Sequence, residues 1–314
     1  DGIRDVERSR GLGDVYKRQL YAVKKTWGNK IDLKKSIEAS FLHKYGPGKL
    51  PEKDKEIKSQ IAIGISPHAG YQFSGPIAAN LYFSLSQINK PKTVILLGPS
   101  HYFLSDIVAI MKDEPWLTPF GEIKINNDIA NKLIEDCDLI IEEPAAHAHE
   151  HSLEVQLPFL QYLYGNTFNI VPLVFGHLNL RSLESIGDTI ARVISENNVN
   201  DFLIVVSSDF THYGSGYGYT PVGSLPEKGL KWMYEMDNKA IKKIVNLDYR
   251  GFYEFVTKNN MTICGYVPIT TGIIIAKQLG LGNAKLLKYA TSWDTAPEYR
   301  SGSHIVGYAS ILIT

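Results

Sequence analysis

Cysteine is scarce. The chain holds two in 314 residues, Cys137 and Cys264, and neither belongs to a CxxC pair. That excludes a disulfide framework and fits a reducing compartment. Net charge is also missing: Lys plus Arg and Asp plus Glu number 33 each, and no run of basic residues stands out. Electrostatic partnership with nucleic acid or a membrane surface is therefore not expected, and a small-molecule or peptide substrate is. No apolar stretch approaches the roughly 18 residues of a bilayer span and the opening residues show no secretory pattern, so a cytoplasmic protein is expected. The nucleotide and hydrolase signatures GxGxxG, Walker A and GxSxG are absent. Gly214-Ser215-Gly216-Tyr217-Gly218 follows a polar loop instead of leading from a strand into a helix, which argues against a phosphate cradle. Adjacent residues such as His151 and Ser152 seldom orient as base and nucleophile.

What is present is one design used three times. Ile61-Ala62-Ile63-Gly64-Ile65 runs into Ser66-Pro67-His68, Thr93-Val94-Ile95-Leu96-Leu97 into Gly98-Pro99-Ser100-His101, and Phe202-Leu203-Ile204-Val205-Val206 into Ser207-Ser208-Asp209-Phe210-Thr211-His212. Apolar runs this short, closed by Pro, Gly or polar residues, read as strands covered on both faces. With 44% hydrophobic residues, the expectation is a single α/β domain with a central, largely parallel or mixed sheet flanked by helices. In such sheets the ligand crevice lies beyond the carboxyl ends of the strands, so the three polar ends are expected to share one pocket.

Residues 1–19 (DGIRDVERSRGLGDVYKRQ) are polar, lack a period and look foreign, so they are expected to be a non-native, weakly ordered leader before a domain spanning 20–314. Asp32 is expected to cap a helix over Leu33–Leu42. Ser74 and Pro76 mark a helix over Ile77–Leu85, long enough with its loops for a right-handed crossover between parallel strands. Edge strands or a hairpin are expected within Asp106–Met111 and Thr118–Ile125, helices at Asn127–Ile134 and, capped by Ser152, Leu153–Tyr164. Further strands fit Phe168–Val174, Lys285–Ala290 and Ile305–Ile313. Helices fit Leu180–Val193, Lys231–Val245, Gly251–Lys258 capped near Asp248, and Pro268–Leu279. The long loop Thr211–Pro226 is expected to be a functional lid.

Taken singly, His68, His101 and Asp209 are ordinary turn residues bonded to backbone. Delivered by three strand ends to one crevice, they form a site. The run Ala146-His147-Ala148-His149-Glu150-His151 marks a polar, possible metal-facing loop. Cys264, in a Gly and Pro context before a helix, is expected to have its pKa lowered by the helix dipole, whereas Cys137 is expected to be inert packing.

Five motifs in order, Ser66-Pro67-His68-Ala69-Gly70-Tyr71, Gly98-Pro99-Ser100-His101, Glu150-His151-Ser152-Leu153-Glu154 with Leu157-Pro158-Phe159, Ser207-Ser208-Asp209-Phe210-Thr211-His212, and Thr262-Ile263-Cys264-Gly265, closely resemble those of the Memo family, called AmmeMemoRadiSam system protein B in prokaryotes. The resemblance implies a fold similar to class III extradiol dioxygenases, which are non-haem iron enzymes. It implies a metal pocket for iron (Fe2+) or copper with His68, His101 and Cys264 as ligands, lined by the catalytic candidates His151, His212 and Asp209. It further implies a redox protein working beside radical SAM and AMMECR1-like proteins. The alternatives are a non-catalytic module for a phosphorylated or acidic peptide and a metal carrier. Ring cleavage does not follow, because Cys264 stands where a dioxygenase presents a carboxylate and fold does not fix function.

Because ordering a residue costs roughly 1 to 2 kcal/mol and residues 1–19 contain few apolar groups to offset it, their deletion should leave the melting temperature unchanged. A fall of several degrees in a thermal scan would mean that they pack natively.

Overall fold

The computed structural model describes residues 30–52, 57, 59–102 and 105–314; the leader at 1–19 lies outside them. Helix α1 (Lys30–Leu42) buries Leu33, Ile37 and Phe41, the spacing that one helix face requires. Asp32 lies inside its first turn and is not its cap. Strand β1 (Ala62–Ser66) is buried throughout. Helix α2 (Tyr71–Leu85) follows at once, starting at Tyr71 and not at Ile77. Gly70, extended at φ −53° and ψ 145°, is the cap, and its carbonyl already accepts from Phe73 and Ser74. Ser74 therefore sits within the helix and bonds back to the Ala69 carbonyl, and Pro76 falls in the second turn. Helix α1 lies so close on α2 that a Cβ on Gly75 would collide with Ser40 Oγ.

Strands β2 (Thr93–Pro99) and β3 (Val108–Ile110) come next, and then the hairpin β4 (Trp116–Thr118) and β5 (Gly121–Ile123). Helix α3 (Asn127–Asp136) is capped by Asn126 and leads to β6 (Ile140–Glu142), a short strand with no clear sequence period. A 3-10 turn, Glu154–Gln156, precedes α4 (Leu157–Tyr164). Ser152 does not cap it, because its hydroxyl bonds to the Pro99 carbonyl. Strand β7 (Asn169–Phe175), helix α5 (Leu180–Ser195), β8 (Phe202–Ser207) and the two-residue β9 (His212–Tyr213) continue the chain. The rest is α6 (Pro226–Val245), α7 (Tyr249–Lys258) with Asp248 as cap, α8 (Tyr266–Gln278), β10 (Ala284–Thr291), the single turn α9 (Ser292–Thr295) and β11 (Ile305–Ile313). Pro268 occupies the third position of α8, one residue past Val267 and two past the true start at Tyr266.

The main sheet has nine strands in the order β10-β11-β1-β8-β2-β7-β3-β6, with β9 on β11. Strands β1, β8, β2 and β7 are parallel neighbours, and β11, β10 and β3 pair antiparallel, so the sheet is mixed. Neighbouring residues on a strand face opposite ways. A Cβ on Gly64 would strike Leu81 of α2, whereas Ile63 lies against Gly272 of α8. Helices α2 and α8 thus cover opposite faces, which is why β1 carries no polar alternation. Among the described residues, no helix is long and apolar enough to cross a membrane.

A carboxyl group is sealed into this core. Asp237 of α6 is fully buried; it accepts from Thr211 Oγ1 at 2.5 Å and from the Tyr289 hydroxyl at 2.6 Å. Burial raises its pKa to about 6, despite those hydrogen bonds. A raised carboxyl favours the folded state while protonated, so this stability is full below the unfolded pKa near 4 and is lost as pH rises through about 6. At about 1.4 kcal/mol per pKa unit the loss is about 3 kcal/mol by neutral pH. Asp237→Asn should flatten the decline in chemical-denaturation stability between pH 4 and 7, and an unchanged slope would assign that decline to other groups.

Candidate metal centre

His68 emerges two residues beyond β1 and is 2% exposed. Its backbone N–H donates to Asp209 Oδ1 at 2.8 Å, so the carboxylate beyond β8 fixes the turn beyond β1. Its Nδ1 lies 2.9 Å from Ser207 Oγ, and its Nε2 lies 3.3 Å from Cys264 Sγ. Burial, reinforced by the neighbouring His101, His151 and His212, pushes the His68 pKa well down, so the ring is neutral.

His101 follows β2 and is gripped by Glu150. The carboxylate accepts from the His101 backbone N–H at 2.6 Å and lies 2.9 Å from Nδ1. A carboxylate only accepts, so Nδ1 carries the hydrogen and Nε2 is turned to the pocket. Burial opposes the charged ring, but the Glu150 hydrogen bond and charge outweigh it and raise the His101 pKa. Glu150 also accepts from the backbone N–H groups of His151 and Ser152, both at 2.9 Å. Burial works against the carboxylate, and these donors overcome it, holding its pKa at about 2.

His151 lies 4.9 Å from His101 ring to ring and 5.6 Å from His68. Burial lowers its pKa, with His101 adding to that effect and Glu150 opposing it. His68, His101 and His151 each offer one ligand nitrogen, and the three lie within 4.8 Å of one another. Cys264 sits at the mouth of α8, one residue before its cap Gly265. A Cβ on Gly265 would collide with Ser208, so only glycine lets the thiol approach the end of β8. The expected depression of the thiol pKa is overturned: burial, with the charge of Asp209, pushes it up, and the thiol faces the Asp209 carbonyl at 3.7 Å. The helix dipole is the weaker influence here.

His212 receives the same treatment as His101. Its N–H donates to Thr262 Oγ1 at 2.9 Å, and its Nδ1 faces the Thr262 carbonyl at 3.0 Å, which only accepts. The ring stands outside the three-imidazole group. Burial raises the Asp209 pKa, while His212, the His68 N–H and His151 oppose the rise. The His-rich loop divides its residues. His147 is buried, with Nε2 3.1 Å from the Ala109 carbonyl, His149 is exposed, and only His151 reaches the centre. Cys137 ends α3 in the core, as packing. The Thr211–Pro226 loop is stapled down instead of hanging as a lid: Gly216 N–H donates to the Ser303 carbonyl and Tyr213 OH to the Gly223 carbonyl. A cavity of about 400 Å³ is lined by Ser86, Asn89, Tyr164 and Thr167 near the amino ends of β2 and β7. It contains no histidine or cysteine, so the chemistry lies elsewhere.

Glu150, Ser207 and Gln156 are the site residues that sequence reading missed. Glu150 was the most visible of them, a lone acid between histidines, the composition a carboxylate–histidine–metal arrangement needs.

A mixed α/β sheet that gathers imidazoles, a thiol and carboxylates beyond its parallel strand ends defines a protein with a candidate metal centre. The chain belongs to the Memo family: the family model described as Memo-like protein matches residues 27–312. It is 40% identical over 281 residues to a MEMO1 family protein of Methanopyrus kandleri, covering 90% of this chain and 93% of that one. It is 39% identical over 283 residues to one of Sulfolobus acidocaldarius, with the same coverages. The crystal structure of an uncharacterized protein from Escherichia coli K12 shares the fold at TM-score 0.50 and 12% identity, over 81% of this chain and all of that one.

The depressed pKa of Glu150 means that its ionisation stabilises the fold above the unfolded carboxyl value, and that this contribution is lost as pH falls through about 2. Glu150→Gln should therefore cost about 3 kcal/mol at pH 7 at about 1.4 kcal/mol per pKa unit. The gap from wild type should narrow as pH falls below 4. Urea unfolding across pH would show this, and a gap independent of pH would count against an ionised Glu150.

Proposed function

We propose that this Memo-family chain is a metal-dependent redox protein whose ion, iron (Fe2+) or copper, is held by His68, His101 and Cys264. The observation that carries the reading is the 3.3 Å approach of Cys264 Sγ to His68 Nε2, beside a His101 ring whose Nδ1 is tied back by Glu150. Imidazole and sulfur donors suit iron, copper and zinc better than hard cations. A bound ion would supply electron transfer and Lewis acidity. The chain's own part is to bind, orient and move protons. His212, with its Nδ1–H held by Thr262, offers Nε2 as the acceptor for a substrate proton. His151, its pKa lowered by burial, lies over the ligand pair as a second acid/base. Asp209 holds the His68 turn in place through the backbone. The substrate is a small molecule or a peptide side chain entering at the strand ends, in the cytoplasm. Family membership supports a place in the AmmeMemoRadiSam system beside radical SAM and AMMECR1-like proteins.

A second reading makes His151 the third ligand, because its nitrogen completes the group with His68 and His101. Anaerobic loading with iron(II) or copper, followed by metal analysis, separates the two. Cys264→Ser is expected to lose most bound metal, while His151→Ala and Cys137→Ser keep full stoichiometry. The reverse pattern for Cys264 and His151 selects the three-imidazole site, and wild-type protein that takes up no metal defeats both.

A further inference from the structure

Behind His68, on the side away from the pocket, runs a buried chain of polar groups that neither ligation nor proton transfer uses. Ser207 Oγ lies 2.6 Å from the Ser152 carbonyl, 2.8 Å from Gln156 Nε2 and 2.9 Å from His68 Nδ1. Gln156 Nε2 also lies 3.0 Å from the Pro67 carbonyl, and its Oε1 accepts from the Tyr82 hydroxyl at 2.6 Å. Ser207 and Tyr82 are 0% exposed, Gln156 1% and His68 2%. These side chains come from β8, α2, the turn before α4 and the loop after β1.

We propose that Ser207, seated by Gln156 and Tyr82, is a positioning residue that holds His68 in the tautomer with its hydrogen on Nδ1 and its Nε2 lone pair facing the pocket. The assignment follows from counting donors and acceptors. A serine hydroxyl has one hydrogen and two lone pairs. The Ser152 carbonyl only accepts, so it takes the hydrogen. The Pro67 carbonyl also only accepts, so the end of Gln156 shared by Pro67 and Ser207 is the NH2 group, and Tyr82 confirms this by donating to the opposite end. Gln156 therefore donates to one Ser207 lone pair. The second lone pair remains, and it can only accept, so His68 Nδ1 must be the donor. Turning the Ser207 hydrogen toward His68 would withdraw it from the carbonyl of the fully buried Ser152, which is the costly alternative. The result is a ligand nitrogen made ready before any ion arrives, as Glu150 does for His101 and Thr262 for His212.

The inference rests on the metal reading for its purpose but not for its test. In full-length, metal-free protein labelled with 15N-histidine, long-range 15N–1H spectra should show His68 as the Nδ1–H tautomer. Ser207→Ala should move His68 to the Nε2–H form and weaken Co(II) binding roughly 10- to 100-fold, the usual scale for losing a group behind a ligand. Ser207→Thr, which keeps the hydroxyl, should retain both properties. If Ser207→Ala does not fold, Ser207→Cys takes its place: a thiol is a weak acceptor and should give a mixture of tautomers with a smaller loss of affinity. Wild-type protein in the Nε2–H form, or Ser207→Ala in the Nδ1–H form, overturns the proposal. So does Ser207→Ala protein that binds Co(II) as tightly as wild type. Wild-type protein in the Nδ1–H form that binds no Co(II) upholds the tautomer and overturns the metal reading instead.

Discussion

Parallel hydrogen bonding among β1, β8 and β2 sets the height at which everything functional leaves the sheet. Ile65 pairs with Val206, which pairs in turn with Leu97, and Ser66 pairs with Ser207. The three strands end nearly level, so the residues just beyond them meet in one layer at the carboxyl edge of the sheet. A slip of one residue in either pairing would turn the strand's faces over and carry His68, His101 or Asp209 out of reach of the others. Burial of both faces under α2 and α8 makes such a slip costly, because every strand residue there is apolar or small and packed. Antiparallel β11 then closes one side of the central strands and, through β9, holds the segment bearing His212.

On this frame the site is built from imidazoles whose rear nitrogens are each answered by an acceptor: a carboxylate for His101, a carbonyl for His212 and a serine hydroxyl for His68. The pattern is the one metal ligands require, since it holds a hydrogen on each rear nitrogen and aims the front one at the pocket. It also explains why ionisable groups can be crowded into a poorly solvated crevice. Three of the four histidines nearest the centre lose or gain basicity by the balance of burial and partner: burial pushes His68 and His151 toward neutrality, in His151 despite Glu150 3.6 Å from its Nδ1, whereas the direct Glu150 hydrogen bond raises His101. The carboxylates divide in the same way. Glu150 is ringed by N–H donors and stays ionised, whereas Asp209 and Asp237 accept fewer N–H hydrogen bonds and rise with burial.

The strands and their order of use were legible from residues alone. Short, uninterrupted apolar runs ending in Ser-Pro-His, Gly-Pro-Ser-His and Ser-Ser-Asp have few readings other than buried parallel strands opening into a crevice. Asp248 as a cap and the hairpin near Thr118 were legible for the same local reason, since a cap or a turn is decided by neighbouring residues. Ser74, Asp32 and Ser152 showed the limit of that logic. Each is a good cap by type, but Gly70 starts α2 earlier, α1 already includes Asp32, and Ser152 spends its hydroxyl on Pro99 from another strand.

The sequence by itself determined which residues could do chemistry and that three strand ends would present them, because strand periodicity and turn chemistry are short-range. Tertiary structure alone decided their state. Whether Cys264 is thiol or thiolate, which nitrogen of His68 bears hydrogen, and that Glu150 belongs to His101 all depend on burial and on partners 49 to 196 residues apart along the chain. Burial and partner distance are properties of the packed fold, and no local pattern encodes them.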